Sequence, residues 1–151
     1  MYTPWGESQT TVTIAPGIIS IGTATHGGFY VDEARFNAMP PKYQVLLHPS
    51  RSRDNGAWFE EDSAWVGVVL SYPNELLEYH RRELEAWQAL QPQEMQILEY
   101  KWNYYERHGR IFYQPDIDWY IAYHRRQLTT MLDHARNIYQ NWYVNRQPKT
   151  P

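Results

Sequence analysis

A chain of 151 residues without cysteine is long enough to bury a core unaided, and it excludes disulfide frameworks, zinc-thiolate sites, iron–sulfur clusters and thiol catalysis. Its net charge of −3 is uneven, with four Lys/Arg against seven Asp/Glu in residues 1–72 and ten of each in residues 73–151, so no whole-domain basic excess points to nucleic acid. No run of about 18 apolar residues and no basic-then-apolar leader occurs, the pattern expected of a soluble, cytoplasmic protein.

Residues 10–24 read as a β-hairpin. Val12 and Ile14 alternate with threonines, Pro16-Gly17 suit the centre of a type II turn, and Ile19 and Ile21 alternate again. Such a hairpin needs an apolar support, expected from helices of the second half. Thr23-Ala24-Thr25-His26-Gly27-Gly28 follows; the glycine pair reads as a turn pinned by His26, or as a loop whose amides approach another chain or an anion. Phe29–Val31 extends briefly, Asp32 caps a short helix ending before Pro40-Pro41, and residues 48–57 form a polar loop.

Three acids, Glu60-Glu61-Asp62, stand between Trp58 and Trp65. The acids suit a helix N-terminus and Pro73 a helix stop, so a buried helix is expected over about Glu60–Ser71, with a central strand as the alternative for Val66–Leu70. Beyond it, Leu77, His80, Leu84 and Trp87 define a helix from 74 to about 90. Met95, Leu98, Trp102 and Tyr105 define a second, ended by Gly109. Ile117, Ile121, His124, Leu128, Met131, Ala135, Ile138 and Trp142 define a long third helix within 116–145. The expected fold is α+β in a single domain, 1–151: residues 1–73 hold a hairpin, loops and a buried helix, 74–146 hold long antiparallel helices, and 147–151 a frayed tail. The seam of the last helix implies packing within the chain, a homodimer, or both.

Aromatic content is high, with 7 Trp, 13 Tyr and 4 Phe, which suits helix packing and also a protein interface. Tyr79-His80-Arg81-Arg82-Glu83-Leu84 is echoed by Tyr123-His124-Arg125-Arg126-Gln127-Leu128. The arginine pairs Arg81-Arg82 and Arg125-Arg126, with Tyr123 and Trp119 beside them, suit phosphate and base contacts, or salt bridges to neighbouring acids. No Gly-x-Ser-x-Gly, phosphate-loop or His-x-x-x-His pattern occurs. Glu60, Glu61 and Asp62 with His26, or with His48, are weak candidates for a hard cation or a general base, because three successive helical residues point in three directions. No cofactor is expected.

Thr3-Pro4-Trp5-Gly6, Ala15-Pro16-Gly17-Ile18, Thr25-His26-Gly27-Gly28, Met39-Pro40 and Trp58-Phe59-Glu60-Glu61-Asp62 with Trp65 together resemble an uncharacterised family, a domain of unknown function found in bacteriophage, plasmid and proteobacterial genomes. The resemblance covers residues 3 to about 73. Family members usually carry Ser-His-Gly-Gly and a cysteine after the Glu-Glu-Asp run; Thr25 and Ser63 replace these here and exclude a thiol role. The resemblance implies a small accessory protein of a mobile element. Three functions follow as expectations: a counter-defence inhibitor that binds a host protein of CRISPR or restriction type, a nucleotide-signal-sequestering protein, and a metal-dependent hydrolase or nuclease. Binding residues are expected at His26, Gly27, Gly28, Trp58, Arg81, Arg82, Trp119, Tyr123, Arg125 and Arg126, with nucleic acid not favoured and no membrane partner.

Overall fold

In the computed structural model, residues 1–90 and 117–146 are described. The chain divides into two compact units, Met1–Tyr79 with Thr130–Pro151, and His80–Thr129.

The first unit carries the expected hairpin, β3 (Thr10–Ala15) and β4 (Ile18–Gly22). Gly17 takes φ +82°, as the third position of a type II turn requires. The hairpin is half of something larger: β5 (Gly27–Val31), β6 (Ser50–Arg51) and β7 (Ala57–Glu60) extend it into a five-stranded sheet of order β3-β4-β5-β7-β6. Its strand pairings among the described residues are antiparallel. A small ribbon, β1 (Tyr2–Thr3) with β2 (Gly6–Glu7), precedes it.

Asp32 caps α1 (Glu33–Ala38), its carboxylate accepting the Arg35 amide at 2.8 Å. A four-residue helix, α2 (Pro41–Gln44), follows. The stretch 60–71 divides differently from the expected single helix. Ala57, Trp58 and Phe59 are all buried in β7, a strand covered on both faces and therefore lacking the alternation that marks a half-exposed strand. The helix, α3, is Trp65–Ser71, with Val66, Gly67, Val68 and Val69 buried. Val66–Leu70 is thus helical and not a central strand, while Glu60 ends β7 and Glu61 and Asp62 lie in the turn before α3. The acids do not sit in the first turn of that helix.

Helix α4 (Pro73–Gln88) and helix α5 (Ile117–Trp142) match the spacing-based expectations, and a 3₁₀ turn at Val144–Arg146 follows α5. The helix expected around Met95–Tyr105 and the tail 147–151 lie outside the described residues. The core of the first unit joins Ile14, Ile18, Val31, Phe36, Leu46, Phe59, Val66, Val69 and Leu76 to Met131 and Ala135 of α5. Two seam positions of α5 are therefore spent inside this chain's own core, whereas Trp142 stays 55% exposed. Among the described residues no helix is long and apolar enough to cross a membrane.

Candidate functional site

Strand β5 has carboxylates gathered at both of its ends. At the first end, Thr23 and His26 close a tight turn: the Thr23 amide donates to the His26 carbonyl at 2.7 Å and the His26 amide to the Thr23 hydroxyl at 3.1 Å. Pairing of Gly28 with Glu60 brings the turn after β7 alongside, and the Glu61 amide donates to the Gly27 carbonyl at 2.9 Å. His26 Nδ1 then lies 3.4 Å from Glu60 Oε1. One ligand atom each from His26, Glu61 and Asp62, all exposed, fall within 4.8 Å of one another. The expectation that successive acids must diverge assumed a helix; a strand end followed by a turn lets Glu61 and Asp62 converge. His48, exposed in a left-handed backbone conformation of φ 61°, is not part of this group.

Gly27 and Gly28 are not the turn. Both lie in β5, and neither has positive φ. Their small size serves close approach: a Cβ on Gly28 would stand 2.1 Å from the Phe59 carbonyl and 2.7 Å from the Trp5 ring, and one on Gly27 2.9 Å from Glu61 Oε2. With β4 on one side and β7 on the other, this backbone faces neighbouring strands and is no anion cradle. Trp58 is likewise scaffold, 8% exposed and set between Trp5, edge-on at 6.0 Å, and Tyr30 at 4.8 Å.

At the other end of β5, a cleft of about 520 Å³ is lined by Tyr30, Asp32, Glu33, Ala34, Asn37 and Asp54. The Tyr30 hydroxyl donates to Asp54 Oδ2, and the Gly56 amide donates to Asp54 Oδ1 at 3.1 Å. Burial first, then the Asp54 carboxylate, pushes the Tyr30 hydroxyl up to about 12. The Tyr30 hydroxyl and the groups of the 52–56 loop hold Asp54 below the usual carboxylate value. Tyr30 therefore stays a neutral donor and Asp54 an anion at neutral pH. Asp54-Asn55-Gly56 carries a turn signal in the sequence, but nothing local marks Tyr30, 24 residues away, as the partner of Asp54, and Asp32 reads only as a cap.

Three cations of this region contact the chain's own groups, and a fourth, Arg53, is exposed beside Asp54. Arg35 donates to the Pro16 carbonyl at 2.8 Å and pairs with Glu75 at 3.3 Å. Arg51 lies over the Phe36 ring at 4.0 Å and donates to the Asn55 carbonyl at 2.7 Å. Lys42 lies over Tyr43 and Tyr139 at 5.0 and 5.6 Å.

In the second unit the two echoed segments meet. His80 Nδ1 and His124 Nδ1 are 2.9 Å apart, both buried. Burial holds His80 down to about 4 and lowers His124 as well. One ring therefore donates to the other, both neutral. Arg81 pairs with Glu85 at 2.6 Å on the same helix, the salt-bridge alternative for that residue. Arg82 and Arg125 are exposed, Arg126 approaches the Tyr123 ring at 5.9 Å, and Trp119, 53% exposed, stacks on Tyr123 at 5.2 Å.

Neither the curated proteins nor the solved structures provide a match. A family model covers residues 1–106, past the stretch 3–73 that carries the motifs, and takes in both ends of β5. The chain therefore belongs to the family described as Domain of unknown function (DUF7007).

Proposed function

We propose that this chain is a small accessory protein of a phage or other mobile element that binds a host protein in the host cytoplasm and blunts a CRISPR or restriction defence. One observation carries the reading: the residues lining the cleft include Asp32, Glu33 and Asp54 and no Lys or Arg, and Glu33 and Asp54 are exposed. The cleft therefore presents negative charge. Such a surface is steered to, and selective for, a basic partner surface, and nucleic-acid-handling proteins carry basic surfaces. The cleft between Tyr30, Glu33 and Asp54 is the anchor for a partner's Lys or Arg side chain. A homodimer through α5 would have to use a face other than that of Met131 and Ala135.

The test is a protection assay in a host carrying an active CRISPR or restriction system. Wild-type protein should rescue phage or plasmid, and E33K/D54N should not. Absence of rescue across hosts with either system rejects the reading. A nucleotide-sequestering function keeps one specific observation, the half-exposed Trp119 stacked on Tyr123 with Arg126 nearby, since aromatic faces take bases. Thermal-shift measurements with cyclic and linear nucleotides decide it, and lack of stabilisation by any of them removes it.

A further inference from the structure

We propose that His26, Glu61 and Asp62 form a binding site for a divalent first-row transition ion, with Glu60 as its positioning residue. The three come from two separate turns, and main-chain bonds hold those turns together: Thr23 to His26 across the first, and Glu61 to Gly27 between the two. Ligand atoms within 4.8 Å of one another need only side-chain rotation to reach the separations of a shared ion, whose N and O ligands sit at about 2.0–2.2 Å. Residue choice along the strand serves the same convergence. Gly27 leaves room where a Cβ would stand 2.9 Å from Glu61 Oε2, so the Glu61 side chain folds back over β5 toward His26.

Glu60 gives the cluster an outer ligand partner. Its Oε1, 3.4 Å from His26 Nδ1, is placed to take that N–H after a small ring rotation and leave the other ring nitrogen for the ion. A carboxylate on the second nitrogen is how metal-ligating histidines are oriented. One imidazole and two carboxylates suit Zn²⁺ or Mn²⁺ better than Mg²⁺ or Ca²⁺, which take oxygen ligands. The site lies at the opposite end of β5 from the Tyr30–Asp54 cleft and shares no residue with its lining.

Zn²⁺ titration of the full chain by calorimetry tests the site. One equivalent should bind saturably below about 1 mM free ion, H26A and E61Q/D62N should each weaken it at least about tenfold, and E60Q should weaken it about tenfold. Mg²⁺ should not compete. All four side chains are solvent-accessible, so these variants keep the fold. In wild-type protein, trace Mn²⁺ should broaden the His26 ring resonances first. No saturable binding, binding untouched by H26A, or broadening confined to other histidines would each overturn the site.

Discussion

The two units of this chain solve the burial of polar groups in opposite ways. In the sheet-bearing unit the largest fully buried side chains are apolar, Phe59, Ile18, Leu46 and Leu76 among them, and carboxylates gather at the two ends of β5. In the helical unit two histidines, His80 and His124, are buried against one another. The first arrangement makes a rigid frame that displays charge at fixed points. The second places titratable groups where only their neutral forms fit, which ties the stability of that unit to proton concentration.

The largest effect should come from emptying the apolar frame. Phe59→Ala removes a ring that is 0% exposed and should cost about 3–5 kcal/mol, read by denaturant unfolding. A cost under about 1 kcal/mol would mean that the sheet unit is not organised around β7.

Acid sharpens the contrast between the units. Below the ordinary histidine value of about 6.5 the unfolded chain takes up protons, whereas His80 resists them down to about 4. The unfolded state binds more protons in that window, so stability falls as pH drops from about 6.5 to about 4 and levels off below. The loss from His80 is on the order of 3 kcal/mol. H80L/H124L should lose less over the same window, and equal losses in the two proteins would show that the pair is not the proton-sensitive element.

Smaller effects belong to the rim of the sheet unit. Asp32→Ala should cost about 1 kcal/mol through the lost cap on the Arg35 amide, and Asp32→Asn should recover most of it; identical melting of the two variants would contradict a capping role. E60Q/E61Q should change stability by less than about 0.5 kcal/mol, because these side chains are at the surface. A larger loss would make the acids scaffold and not display.

What the sequence discloses divides between local signals and long-range meetings. Spacings of three and four mark α4 and α5, Pro16-Gly17 marks the hairpin turn, and Asp32 marks a cap; each is a local signal. Strand β7 has no such signal, because Ala57, Trp58 and Phe59 are buried on both faces and cannot alternate. Gly27-Gly28 looks like a turn until Phe59 and Trp5, distant in sequence, are seen pressing on Gly28. His26 meets the acids only through the register Gly28↔Glu60, and His80 meets His124 only through tertiary packing. The chemistry-bearing residues were visible one by one; their meetings are set by long-range pairing that no local pattern encodes.

On the proposed function, the carboxylates around the Tyr30–Asp54 cleft recognise a basic host protein. Quantitative capture from host lysate, with wild type and E33K/D54N compared at about 0.1 M and about 1 M salt, tests it most directly, since exposed charge pairs are screened across that range. One stoichiometric partner bearing a basic surface should be held by wild type at low salt and lost both at high salt and in the variant. A partner retained equally under all of these conditions, or no partner at all, would contradict the account.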